Sequence, residues 1–241
     1  MAKVIICKDY QAASDAAFTE FKQYLKPGKV LGLATGSTPL GLYERMVKDH
    51  KENGTSYKEI KSFNLDEYVN LPITHPESYY AFMHRNLFDQ IDIPEENTHV
   101  PCGLGNLEEG AKKYDEMIEA SPVDCQILGI GSDGHIAFNE PGTAFDSPTH
   151  VTDLAESTIK DNARFFDNDM SKVPTQAVTQ GIGTIMKAKN IIIICTGANK
   201  ANAVKAMLEG PIDVACPASI LQKHESVTVI LDEAAATLLS K

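Results

Sequence analysis

Apolar and polar positions along this chain alternate in two periods, and the switches between them predict its elements. Short apolar runs with β-branched residues read as buried strands: Val4 to Cys7, Val30 to Ala34, Ser62 to Leu65, Cys125 to Ile130, Ile191 to Cys195 and Val227 to Leu231. Between them lie stretches with helical spacing: Tyr10 to Leu25, Pro39 to about His50, Pro76 to Phe88, Leu107 to Glu119, Thr175 to Met186 and Ala198 to Leu208. In the first, Ala13, Ala17, Phe21 and Tyr24 form one stripe; the third starts on a capping pattern, Thr74-x-x-Glu77, with Pro76 inside it. Strand and helix in this order predict an α/β fold, a largely parallel sheet covered by helices on both faces. The 241 residues carry no Pro/Gly/Ser-rich linker, charge block, repeat or low-complexity tract, so one domain over residues 1–241 is expected.

Composition narrows the function classes. The formal net charge of −11, without a basic stripe, argues against nucleic acid as partner. It leaves room for an anionic small ligand, because a helix N-terminus and one or two cations can hold phosphate inside an acidic protein. The first residues, MAKVIICKDY, fit neither a signal peptide nor a membrane span, and the longest apolar runs are strand-sized, so no membrane association is expected. Five cysteines, Cys7, Cys102, Cys125, Cys195 and Cys216, are odd in number and form no C-x-x-C pair, which predicts a reduced, cytoplasmic protein.

Chemistry concentrates at the ends of three predicted strands. Asp133 to Pro141 reads DGHIAFNEP, placing Asp133, His135 and Glu140 on a turn after the strand that ends near Ile130. An imidazole with two nearby carboxylates can move protons at neutral pH, and strand carboxyl ends are where α/β sheets form ligand crevices. The same three side chains are a weaker match to a metal site, since no H-x-H or H-E-x-x-H spacing accompanies them and His150 is the only further histidine nearby. Gly129-x-Gly131-x-x-Gly134 matches the dinucleotide fingerprint, but Pro141, Gly142 and Pro148 interrupt the helix that fingerprint requires. After Val30 to Ala34, the run Thr35-Gly36-Ser37-Thr38-Pro39 reads equally as a phosphate cradle or as an N-capped helix after an ordinary turn. After Ser62 to Leu65 come Asp66 and Glu67. If this strand lay beside the one ending near Gly131, Asp66 and His135 would share a crevice; otherwise Asp66 caps a turn and Glu67 is solvated. Arg164 and Lys200 are cations suited to phosphate, though spacing alone does not separate them from surface charges.

Taken together, ATGSTP at 34–39, FNLDEY at 63–68, HPESYYAFMHRN at 75–86, DGHIAFNEP at 133–141, ARFFDND at 163–169 and Gly197 to Lys200 resemble the glucosamine-6-phosphate deaminase family, in register over nearly the whole chain. The resemblance implies a Rossmann-like fold and the conversion of glucosamine 6-phosphate and water to fructose 6-phosphate and ammonia, in amino-sugar catabolism. It implies that Asp66 is the base for the C2 hydrogen and that His135, oriented by Asp133 and Glu140, opens the sugar ring. Thr35, Gly36, Ser37, Thr38, Arg164 and Lys200 match the phosphate-binding set, and residues 148–174 match a mobile lid. No cofactor or metal is expected, because the substrate's own carbonyl is the electron sink. The chain departs from the pattern at Ser132, where asparagine is frequent, and ends soon after Glu233, without the C-terminal extension of the allosteric hexamers. His150 and Thr152 stand where those members have basic effector-binding residues. An unregulated form, a monomer or weak homo-oligomer, is therefore expected. The alternatives are a 6-phosphogluconolactonase, which shares the phosphate loop and Asp-Gly-His but does not need Asp66, and a non-catalytic sugar-phosphate sensor.

Overall fold

The computed structural model describes residues 2–240, and among them the chain forms ten strands and seven α-helices. In chain order these are β1 (Lys3–Cys7), α1 (Tyr10–Phe21), β2 (Val30–Leu33), α2 (Leu40–Asn53), β3 (Lys61–Asn64), β4 (Asp66–Tyr68), α3 (Tyr79–Asn86), β5 (Thr98–His99) and α4 (Leu107–Ala120). They continue as β6 (Cys125–Leu128), β7 (His150–Asp153), α5 (Glu156–Asn162), β8 (Gln176–Thr179), α6 (Ile182–Ile185), β9 (Ile191–Cys195), α7 (Ala201–Glu209) and β10 (Val227–Asp232). Seven strands pair in the order β1-β10-β9-β6-β2-β3-β5, every pair parallel, and helices flank the sheet as the alternation predicts.

The most apolar runs occupy the middle of this sheet. All five residues of β9 and all four of β2 and of β6 are buried, the pattern of strands covered on both faces. At the edge, β1 leaves Val4 and Ile6 exposed. Ala13, Ala17 and Phe21 bury one stripe of α1, whose start is capped by Asp9 accepting from Ala12 N at 2.9 Å. Burial of side chains such as Ile193, Leu128 and Leu33 contributes about 1.5–3 kcal/mol each.

Three expectations change on folding. Residues 175–186 are not one helix: Gln176–Thr179 forms β8, and α6 is a single turn. Gln176-Ala177-Val178-Thr179 finds antiparallel partners in β4 and β7, and a second sheet, β4-β8-β7, results. Helical spacing in a short apolar run cannot report such partners. The helix expected from Pro76 begins at Tyr79, because Ser78 and not Thr74 caps it, accepting from Ala81 N at 3.0 Å. Asp66 does not end a strand but begins one, β4 of the second sheet.

Below the sheet, at the amino ends of β2 and β6, Asp124 is buried. Its carboxylate accepts from Val30 N at 2.9 Å and pairs with Lys29 at 3.2 Å and Lys189 at 2.9 Å. Burial opposes ionisation here, but these donors outweigh it and hold the carboxyl below its ordinary range. A depressed folded-state pKa stabilises the protein above the unfolded value near 4, and that stabilisation is lost as pH falls through the folded value. Asp124→Ala is expected to cost about 1–3 kcal/mol, because it strands a buried N–H. Thermal melts at pH 7 and pH 3 should show a loss of several degrees at pH 7 and a smaller difference at pH 3; equal losses would contradict an ionised Asp124.

Candidate active site

The strand order reverses around β2: the chain moves from β2 to β3 on one side, and later returns to place β6 on the other. Such a switch point opens a crevice at the carboxyl ends of the strands. Three loops meet there, after β2, β3 and β6. The strand β3 is not beside β6, as a shared crevice seemed to demand; β2 lies between them and contributes the loop that forms the crevice floor.

The loop after β2 runs from Ala34 into α2. Gly36 takes φ +85°, a conformation L side chains rarely adopt, with open space beside it. Tyr10, on α1, locks the loop: its hydroxyl donates to Ser37 O at 3.0 Å and accepts from Gly41 N at 2.8 Å. Tyr43 OH donates to Ala34 O at the strand end. The cradle thereby presents backbone and hydroxyl donors at the N-terminus of a fourteen-residue helix, a setting suited to anions.

Asp66 sits where the chain leaves the parallel sheet for the second one. Leu65 N donates to Leu33 O at 3.2 Å, and Leu65 O accepts from Gln180 N at 2.7 Å. The result is a carboxyl buried in the crevice wall. Desolvation, reinforced by Glu67, pushes its pKa up to about 8, while His135 and a hydrogen bond from Thr35 pull the other way. Glu67 is not solvated; it is 1% exposed, and its carboxylate accepts from Tyr68 N at 2.8 Å and from Tyr79 N and Tyr80 N at 2.9 Å each. It thus caps α3 and ties that helix to β4.

His135 is presented by a turn closed by Gly134 N donating to Gly131 O at 3.1 Å and by Gly131 N donating to His135 O at 2.9 Å. The imidazole lies against Gly131 so closely that a Cβ there would fall inside the ring's contact distance. Its Nδ1 is 2.8 Å from Asp133 Oδ1 and 3.4 Å from Glu140 Oε2. The Nδ1 contacts are charge pairings off the line of a well-aimed hydrogen bond. Burial alone would lower the imidazole pKa, but the two carboxylates, Asp133 foremost, outweigh it and raise it above its ordinary value, while Asp133 is driven down in return. These three residues could present ligand atoms to one ion. The 2.8 Å separation is shorter than the roughly 3.4 Å that two bonds of about 2.1 Å to one tetrahedral ion would set, so direct pairing fits better.

The turn that follows is locked by Asn139, whose Nδ2 donates to Ile136 O and Gln180 O, and by Phe138 N donating to Thr179 Oγ1. Ala137, at φ +53°, faces the chamber. No helix follows Gly134 directly, so the dinucleotide fingerprint lacks its required context.

Thr35, Gly36, Thr38, Asp66, Tyr79, His135 and Phe138 are among the residues lining an inner chamber of about 160 Å³. It shares Gly36 and Thr38 with an outer cleft of about 930 Å³, into which Ser37, Arg164 and Lys200 project. Burial lowers the Lys200 pKa. Asp133 and Glu140 stand behind His135. The fold thus brings eight of the ten singled-out residues to the linked chamber and cleft, and Asp133 and Glu140 reach it only through His135. Sequence reasoning gave no role to Tyr10, Tyr79, Thr158, Thr196 and Asn199; Tyr79 and Asn199 lie inside quoted motifs and Thr196 beside one, but none had a spacing that marks chemistry.

Residues 11–230 match the family described as glucosamine-6-phosphate isomerases/6-phosphogluconolactonase. The chain is 48% identical to the glucosamine-6-phosphate deaminase of Corynebacterium kroppenstedtii, over 98% of this chain and 92% of that one. It is 47% identical to that of Clostridium perfringens, over 98% and 99%. Among solved structures, a monomeric glucosamine-6-phosphate deaminase superposes with TM-score 0.96 at 41% identity, covering 98% of this chain and all of the other. The 6-phosphogluconolactonase of Trypanosoma brucei superposes with TM-score 0.77 at 24% identity, over 100% and 99%, a likeness of fold alone. With its Asp66 and His135 loops set at the switch point of this fold, the chain belongs to the glucosamine-6-phosphate isomerase/6-phosphogluconolactonase family, on its deaminase branch.

Proposed function

We propose that this protein converts glucosamine 6-phosphate and water to fructose 6-phosphate and ammonia, with Asp66 as carbon-acid base and His135 as ring-opening group. The observation that carries the reading is the placement of Asp66 and His135 in one small chamber that opens past Gly36 and Thr38 into a cleft whose lining includes Arg164 and Lys200. A phosphate at the Ser37–Thr38 amides, Arg164 and Lys200 directs the sugar inward. His135, kept as an imidazolium by Asp133 and Glu140, gives its proton to the ring oxygen and recovers one from the anomeric hydroxyl. The open aldehyde acidifies the C2 hydrogen; Asp66 removes it and returns a proton at C1. The resulting C2 imine takes up water and expels ammonia. A lactonase would use the phosphate grip and His135 but leave a buried, high-pKa Asp66 without a task. Residues 148–174, which carry Arg164, act as a lid that keeps water from the open-chain sugar.

The direct test is incubation in chelator-treated buffer with glucosamine 6-phosphate, following ammonia and ketose together, and with 6-phosphogluconolactone in parallel. Equal amounts of ammonia and fructose 6-phosphate are expected; lactone hydrolysis without ammonia would transfer the chain to the sister activity. Three outcomes sharpen the residue roles. Asp66→Asn should reduce kcat by about 10³-fold or more, since an amide accepts no proton from carbon. The same variant should melt several degrees higher at pH 7: with the folded carboxyl at about 8, the acid contributes stability only at low pH and loses it as pH rises toward 8, a loss the amide avoids. Activity should also depend on pH with the sign that burial sets: kcat/KM rises as pH climbs through about 8 and Asp66 ionises. An acid limb near 4 would show a base that is not desolvated. Finally, His150 and Thr152, on β7, supply no fixed cation to an effector phosphate. The chain acts as an unregulated monomer or weak homo-oligomer, and its rate curve stays hyperbolic with or without N-acetylglucosamine 6-phosphate; a sigmoidal curve relieved by that compound would refute this.

A further inference from the structure

Glu140 spends its two oxygens on different parts of the molecule. Its Oε2 faces His135 Nδ1 at 3.4 Å, and its Oε1 accepts from Thr158 Oγ1 at 2.8 Å. Thr158 is buried and lies on α5, inside the segment 148–174 and six residues before Arg164. Oε2 is sealed from solvent and has no hydrogen-bond partner, so no second donor fixes the carboxylate's rotation. The hydroxyl of Thr158 is the contact that does. Around it, Asn162 Nδ2 donates to Tyr68 OH at 2.8 Å, and Phe166 and Ala163 pack with Tyr68 and Phe138, so α5 and the turn bearing Arg164 seat as one piece over β4.

We propose, resting on the deaminase reading above, that Thr158 is a positioning residue for ring opening: it holds Glu140 against His135 only while the segment carrying Arg164 is seated. Phosphate binding at one end of this short segment and proton handling at the other thereby become one event. Binding energy from the phosphate, remote from the reacting carbons, is used to complete the acid–base pair. A sugar lacking phosphate would meet an imidazole paired with Asp133 alone.

The groups that face His135 are Asp133 and Glu140 from its own loop and Asp66 from β4; Cys216 packs against Gly134, and Lys200 acts on Asp133 from across the cleft. Among them Glu140 is the one tied to α5. Thr158→Val keeps the shape and removes the hydroxyl; Thr158→Ser keeps the hydroxyl. NMR titration of the His135 ring and steady-state kinetics are measured on both variants, with inorganic phosphate binding as the check that the Arg164 end is intact. In Thr158→Val the imidazole should titrate at lower pH than in the wild type. Its kcat should fall about tenfold, the worth of one hydrogen bond to a charged group, with KM changed less than threefold. Thr158→Ser should restore both. An unchanged or raised His135 titration, a kcat within twofold of wild type, or a serine variant as impaired as the valine would each overturn the proposal. If the wild type makes no ammonia while the valine variant still lowers the His135 titration, the deaminase reading fails and the Thr158 link stands.

Discussion

Leu65 joins two sheets through its own peptide groups, its N–H bonded to the end of β2 and its carbonyl to Gln180 just beyond β8. A parallel sheet ends in an open row of strand termini, and in this protein the antiparallel sheet β4-β8-β7 covers that edge. Because the crossing takes a single residue, the next side chain, Asp66, is placed in the seam, largely buried in the chamber wall. Burial of the carboxyl and its place beside Thr35 in the chamber wall both follow from this joint.

Two titratable groups in that chamber are driven in opposite senses to their usual states. Desolvation keeps Asp66 protonated well above the ordinary carboxylate range, whereas paired carboxylates keep His135 charged in spite of burial. On the deaminase reading proposed above, a base poised near neutrality and an imidazolium ready to give up its proton suit an isomerisation through an open-chain sugar. The arrangement costs stability: a buried acid and a non-glycine residue at positive φ, Ala137, face the same chamber. The surrounding apolar sheet, with β9 and β2 fully buried, supplies the offset.

The second layer of the site is aromatic and lies under residues 150–174. Tyr68 packs with Tyr79, Phe138 and Phe166, and its hydroxyl receives Asn162 and Tyr79. Because Tyr68 is two residues from Asp66, and Thr158 bonds the carboxylate beside His135, the segment that carries Arg164 touches the surroundings of both Asp66 and His135.

Much of this was legible in the chain. β-Branched runs such as Ile191–Cys195 can bury only as central strands, and the chain's alternation with amphipathic stretches admits few layouts besides a helix-covered parallel sheet. Asp-Gly-His after one strand, Asp-Glu after another and Gly-Ser-Thr-Pro after a third were visible because glycines, prolines and clustered acids stand out locally. What the pattern could not carry is partnership at long range. Residues 176–179 look helical until β4 and β7 are beside them, Glu67 looks solvated until the amides of α3 close on it, and Thr158 is one hydroxyl among many until Glu140 lies 2.8 Å away. Local composition by itself determined the strands, the helices and the chemical groups available, since those depend on neighbours in the chain. Only the tertiary structure decided which groups share a low-dielectric chamber and which hydroxyl holds which carboxylate, because desolvation and hydrogen-bond geometry are properties of what packs across the fold.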